Sequence, residues 1–176
     1  MIFRETELKG LYEIGLEPRE DERGFFARSY CKEEFKKHGL NFDIVQSSIS
    51  YNKKKATLRG MHYQAAPHEE EKLVSCISGS IRDVVIDLRP GSPTYCKWFS
   101  ADLSAKDRKS LYIPKGFAHG FQTMQDDTAI LYHMSEYYYP ECSRGIRWDD
   151  PFFSIEWPSG KPVISDKDKT YPFFKK

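Results

Sequence analysis

Short runs in which apolar and polar residues alternate recur along the chain, separated by turn residues. A period of two sends successive side chains to opposite faces of a strand, so the rhythm predicts an antiparallel β sandwich or barrel. The clearest predicted hairpin runs from Lys72 to Leu88. Leu73-Val74-Ser75-Cys76-Ile77 leads into Ser78-Gly79-Ser80, and Ile81 to Leu88 returns. Gly79 supplies the positive φ that a tight turn wants. Further strands are predicted at Phe25–Tyr30, Ile44–Tyr51, Thr57–Gln64, Tyr95–Leu103, Leu111–Ile113, Gly120–Thr123 and Thr128–Tyr138. One helix, Lys32–His38, is charged and stops at Gly39. The segment from Pro140 onward is rich in proline and reads as loop. The order fits one all-β domain over 1–176, a single antiparallel jelly roll with short helical pieces and a wrapping C-terminal segment.

Length and charge sharpen this picture. With 176 residues, one sizeable core needs no disulfide staples. The formal charge of +1 excludes a nucleic-acid protein held by bulk charge, but not a small anionic ligand. No run approaches the ~20 apolar residues of a membrane-spanning helix. The start, Met1-Ile2-Phe3-Arg4-Glu5, lacks the apolar stretch of a signal peptide. Cys31, Cys76, Cys96 and Cys142 form no CxxC pair. The expectation is therefore a cytoplasmic chain with reduced thiols and no membrane association.

Several residues carry possible chemistry. Thr57-Leu58-Arg59-Gly60-Met61-His62-Tyr63-Gln64 places a cation and a histidine in one strand-like run. Arginine suits phosphate because its planar fork donates two hydrogen bonds at once. His62 has the titration range of a general base; the alternative is a satisfied core histidine beside a surface arginine. Residues three apart on a regular strand face opposite ways. If Arg59 and His62 share a cavity, Gly60 must mark a bulge. Lys72 opens the next strand and is either solvated or an oxyanion stabiliser in a partly dry pocket. His119 lies in the compact run Ile113 to Phe121, where a chain reversal lets backbone approach a ligand. Tyr132 shares the apolar face of Ile130 and Met134, so its hydroxyl needs a partner, a backbone carbonyl or a substrate. Tyr137-Tyr138-Tyr139 offers flat rings for stacking a base. His62, His68, Glu71 and His119 are metal-ligating types, but the usual pair of histidines one residue apart is missing, and no metal is expected.

Together these motifs resemble the dTDP-4-dehydrorhamnose 3,5-epimerase family over nearly the whole chain. The markers are Asp21-Glu22-Arg23-Gly24-Phe25-Phe26, Leu58 to Gln64, Lys72-Leu73-Val74, Asp87-Leu88-Arg89 with Ser92-Pro93-Thr94, Ile113 to Phe121, Leu131-Tyr132, Ile155-Glu156-Trp157-Pro158 and Ser165 to Asp168. The resemblance implies a cupin-type jelly roll that acts as a homodimer, without metal or organic cofactor. It implies inversion at C3, C5 or both in a nucleotide-linked 4-keto-6-deoxyhexose. By the same match His62 is the base, Asp168 its orienting carboxylate, Lys72 the enolate stabiliser and Tyr132 the acid. Nothing in the spacing alone selects Asp168 over Asp166. Arg23 and Arg59 resemble pyrophosphate ligands, Tyr138 a stacking platform, and Gln46 a residue of the substrate-contacting strand. His119 matches a pocket histidine. In family dimers the N-terminal strands cross over, so Arg23 and Phe26 are expected to serve the neighbour's site.

Two positions depart from the family pattern. Arg28 stands near a position where well-known members carry a glutamate, and Ser48 where they carry an asparagine. Thymine N3 donates a hydrogen bond and suits a carboxylate, whereas cytosine N3 accepts and suits an arginine. Arg28 therefore raises the alternative of a cytidine-linked sugar. Inversion at one carbon only, a sugar-nucleotide ketoisomerase and a non-catalytic sugar-nucleotide binder also stay open.

Overall fold

The alternating runs pair into two facing sheets, seen in a computed structural model that describes residues 1–176. The strands are β1 (Ile2–Glu5), β2 (Tyr12–Gly15), β3 (Arg19–Asp21), β4 (Gly24–Phe26), β5 (Gln46–Asn52), β6 (Thr57–Gln64) and β7 (Lys72–Ser78). They continue as β8 (Ser80–Asp87), β9 (Trp98–Ser104), β10 (Ser110–Ile113), β11 (Phe117–Thr123), β12 (Thr128–Met134), β13 (Ser143–Gly145) and β14 (Val163–Ile164). Two short helices, α1 (Lys32–Lys37) and α2 (Asp166–Lys169), and a 3-10 turn at Pro140–Cys142 complete the set. The first sheet has the order β1-β2-β10-β7-β12-β5, and the second β13-β6-β11-β8-β9. β14 adds to β6 in parallel, the one exception to an otherwise antiparallel arrangement. No helix is long and apolar enough to cross a membrane.

The core lies between the sheets. Val74 and Cys76 of β7 and Ile130 of β12 meet Ile81 and Val85 of β8 and Phe121 of β11. Burial of such side chains contributes roughly 1.5–3 kcal/mol each before entropy is counted. Burial also lifts the Cys76 thiol to about 11, so it stays protonated and behaves as a small hydrophobe. A second cluster packs α1 against the first sheet through Phe35, Phe42 and Tyr112. α1 is acid-first and base-last, and Gly39, at φ +77°, turns the chain so that Gly39 and Leu40 donate to the carbonyls of Lys36 and Phe35.

Four expectations about elements need correction. The Lys72–Leu88 hairpin does not form. Gly79 does take φ +74°, but β7 pairs with β10 and β12 while β8 pairs with β9 and β11. The turn therefore carries the chain from one sheet to the other, and a Cβ at Gly79 would stand 2.3 Å from Thr128 Oγ1. The strand expected over Phe25–Tyr30 is only Gly24–Phe26, paired with β3 in a ribbon that joins neither main sheet. The Tyr95–Leu103 strand starts at Trp98, because Ser92 to Lys97 close tight turns around Asp87. The last expected strand likewise stops at Met134. Strands β1 and β2 were not expected, since their short runs alternate too little to register.

Candidate active site

Strand alternation turns polar at one end of the sandwich. On β7 the inward positions read Cys76, Val74, Lys72, and on β12 they read Ile130, Tyr132, Met134. Lys72, Tyr132 and Met134 line a cavity of about 420 Å³ together with Ser48, Arg59, His62, His119, Tyr138 and Asp168. That volume suits a small-molecule ligand.

The bulge required at Gly60 is present. β6 pairs Arg59 with Phe121 and His62 with His119, so three steps on β6 match two on β11. Gly60 sits at φ +140°, and a Cβ there would lie 2.5 Å from the Cα of Gly120. Only glycine meets both demands. The extra residue turns Arg59 and His62 to one side, and both reach the cavity.

His62 Nε2 lies 2.8 Å from Asp168 Oδ1, leaving Nδ1 as the ring nitrogen without a protein partner. Asp168 is brought 106 residues along the chain by α2, whose Ser165 caps the backbone N–H of Asp168. The Asp168 side chain is 7% exposed. Burial alone would raise its pKa, but the hydrogen bond and charge of His62 and the N–H of Gly60 together hold it below the usual range. The stretch around Asp166 and Asp168 is thus a capped helical turn and not a solvated tail. Asp168 points inward and Asp166 outward, where it pairs with Lys169.

On the facing sheet, Lys72 is nearly buried, with Nζ 2.7 Å from Glu70 Oε1. Tyr132 makes no hydrogen bond within the chain, and its ring stands edge-on to His119, with centroids 5.8 Å apart. Burial, then the charge of Asp83, pushes its pKa well above the ordinary phenol value, while Arg59 pulls the other way. The hydroxyl therefore stays protonated. His119 in turn places Nε2 2.6 Å from Asp83 Oδ1, and both are buried.

Arg59 is aimed by Asn52, which accepts from its Nε at 2.8 Å while donating to the carbonyls of Ser50 and Thr128. Lys167 and Tyr171 close the cavity from the C-terminal segment. The charge and hydrogen bond of Tyr171 raise the pKa of Lys167, which remains a cation. Asn52, Glu70, Lys167 and Tyr171 were missed in the sequence. Only Lys167, between two aspartates in the Ser165–Asp168 marker, carried a usable signal.

The chain does not bring every expected residue to this cavity. Gln46 stands beside Met134 in the β5–β12 register but does not line it. Arg23 is exposed on the β3–β4 ribbon and paired with Asp21 at 2.6 Å. Phe26 is 78% exposed, and Arg28 donates to Glu34 at 2.7 Å. Phe26 and Arg28 line a separate recess beside Met1.

Comparisons with known proteins identify the family. Residues 5–176 match the sequence model described as dTDP-4-dehydrorhamnose 3,5-epimerase. A dTDP-4-dehydrorhamnose 3,5-epimerase of Sinorhizobium fredii is 42% identical over 153 residues, 86% of this chain and 78% of that protein. The crystal structure of the enzyme of that name from Bacillus anthracis, with TDP and PPi bound, superposes with a TM-score of 0.96 at 37% identity, covering 98% of this chain and 99% of that one. A Legionella pneumophila dTDP-6-deoxy-D-glucose-3,5-epimerase, in complex with dTDP-4-keto-L-rhamnose, gives 0.92 at 36% identity, covering 98% and 92%. The cupin-like jelly roll is thus shared across the molecule. The chain belongs to the dTDP-4-dehydrorhamnose 3,5-epimerase family, whose members are isomerases.

Proposed function

We propose that this protein epimerises a thymidine-diphosphate-linked 4-keto-6-deoxyhexose at C3 and C5. The observation that carries the reading is a buried carboxylate on His62 facing a protonated Tyr132 and the Lys72 ammonium across one cavity. Hydrogens on C3 and C5 are acidic because the C4 carbonyl can hold the resulting charge. His62 Nδ1 takes the proton from carbon, and the bonding pair moves to the C4 oxygen as an enolate. Lys72 stabilises that oxyanion, where a cation is worth most. Asp168 favours the imidazolium that forms. Tyr132, on the other sheet, returns a proton to the opposite face of the carbon. Its phenolate is then reprotonated, and the imidazolium gives its proton to solvent. No metal or organic cofactor takes part in this scheme.

Arg59 and Lys167 supply positive charge for the pyrophosphate, and Tyr138 a face for the base. Ser48 and His119 complete the wall, with Gln46 at its edge. The remaining cation comes from a second copy. The β3–β4 ribbon pairs with no other strand, and an isolated two-stranded ribbon is marginal in water. It displays Phe25 and Phe26 with Arg23 beside them, and β5 and β7 expose Ile49, Tyr51 and Ile77. These features support a homodimer in which Arg23 and Phe26 of one protomer enter the other's cavity. The ion pair of Arg28 with Glu34 satisfies its charge locally, which favours thymidine over cytidine.

The test is proton NMR in deuterated water with thymidine- and cytidine-diphosphate 4-keto-6-deoxyglucose in parallel. Deuterium entering C3 and C5 of the thymidine sugar is expected. Exchange at one carbon would make the protein a mono-epimerase, and faster exchange on the cytidine sugar would overturn the base assignment. Migration of the carbonyl to C3, with a new hydrogen on C4, would make it the ketoisomerase, and binding without exchange would favour the binder.

A further inference from the structure

The strand that carries His62 ends two residues later at Gln64, which is 4% exposed. The two residues share a face of β6, and both line the cavity. The Gln64 carboxamide makes three hydrogen bonds. Its Nε2 donates to the carbonyl of Tyr137 at 3.0 Å and to that of His68 at 2.9 Å. Its Oε1 accepts from the backbone N–H of Tyr139 at 2.7 Å. Tyr137 and Tyr139 are the two chain neighbours of Tyr138. The amide thus grips the backbone immediately before and immediately after that residue.

Tyr138 has no comparable anchor of its own. Its side chain is 58% exposed and makes no hydrogen bond within the chain, so its ring is placed by the backbone that bears it. That backbone has left β12 at Met134 and does not join another strand until Ser143. A second tie reinforces the first. His68, whose carbonyl Gln64 holds, stacks face to face on Tyr139 with ring centroids 3.4 Å apart. Glu136 accepts from the N–H of Tyr137 at 2.8 Å. Gln64 is therefore the point where the loop after β6 and the loop after β12 are joined.

We propose that Gln64 is a positioning residue that fixes Tyr138 as the platform for the nucleobase, and so sets the distance between base and sugar from the same strand that carries the catalytic histidine. This rests on the reading of Tyr138 given above. Ground-state stacking is uniform binding, so its loss should raise KM and leave kcat nearly unchanged. Pyrophosphate, which has no base, should not sense the change.

The experiment compares inhibition by dTDP and by inorganic pyrophosphate in Gln64→Leu, Gln64→Glu, Tyr138→Ala and the Gln64→Leu/Tyr138→Ala double variant. Gln64→Glu keeps an acceptor for the Tyr139 N–H but cannot donate to the two carbonyls, and it carries the test should the leucine variant not fold. Stacking on an aromatic ring gives an expected dTDP inhibition constant about tenfold weaker in the Gln64 variants, with pyrophosphate inhibition and kcat within about twofold. The double variant should be no weaker than Tyr138→Ala alone. Equal weakening of dTDP and pyrophosphate, or additive losses in the double variant, would overturn the proposal. So would unchanged dTDP inhibition in the Gln64 variants beside a weakened Tyr138→Ala. Unchanged dTDP inhibition in Tyr138→Ala itself would instead remove the platform reading on which it rests.

Discussion

Replacing Asp168 with asparagine isolates the charge of the dyad from its geometry. Asparagine keeps an oxygen where Asp168 Oδ1 lies 2.8 Å from His62 Nε2, so the ring stays oriented. The negative charge that favours the imidazolium is lost. For unit charges about 4 Å apart at an effective dielectric near 20, that attraction is about 4 kcal/mol. A hydrogen bond to a charged group sets a lower bound of about 2 kcal/mol. Because Asp168 is buried, little of this is screened by solvent. At roughly 1.4 kcal/mol per decade, proton abstraction should slow by about 30-fold to 1,000-fold. The assay is the initial rate of deuterium incorporation at saturating substrate, with the dTDP inhibition constant as a check on the site. An exchange rate within about threefold of the parent, with inhibition unchanged, would refute the view that Asp168 acts through charge.

Three further outcomes follow from the same geometry. Tyr132→Phe should keep deuterium exchange at carbon better than net inversion, measured on one sample; equal loss of both would remove the acid role. Mixing and refolding Arg23→Ala with His62→Ala protomers should restore activity through the one hybrid site holding both residues, whereas no gain above the parent variants would place Arg23 in its own chain's site or outside catalysis. Asp87 is buried and, against the cost of that burial, is held at about 2 by Arg89, Ser92 and Thr94. Relative to about 3.9 in the unfolded chain, this contributes between about 2 and 3 kcal/mol above pH ~4, lost as pH falls through the folded value. Asp87→Asn should therefore lower urea stability at pH 7 and shrink the difference between pH 7 and pH 3.

Local chemistry was the legible part of the sequence. The alternation on β6 fits its observed bounds, and the spacing of Arg59 and His62 demanded the bulge found at Gly60. The same alternation puts Tyr132 on the inward face of β12 with Ile130 and Met134, but it leaves Lys72 open between solvent and pocket, because Lys72, Leu73 and Val74 are all buried at that end of β7. What alternation cannot say is which sheet receives a strand. A glycine turn looks alike whether it closes a hairpin or crosses the sandwich, and Gly79 does the latter. Contacts between distant residues are equally silent. Asp168 reaches His62 only because α2 folds back on β6, and family resemblance alone singled it out. Asn52 and Gln64 work through their carboxamides on backbone groups far along the chain, a role that residue type does not announce.

The most direct test of the central claim is deuterium exchange into thymidine-diphosphate 4-keto-6-deoxyglucose by the parent protein and by His62→Ala, followed by proton NMR. The account predicts exchange at C3 and C5 for the parent and none above solvent background for the variant, with dTDP inhibition retained by both. Exchange by His62→Ala at the parent rate would contradict it.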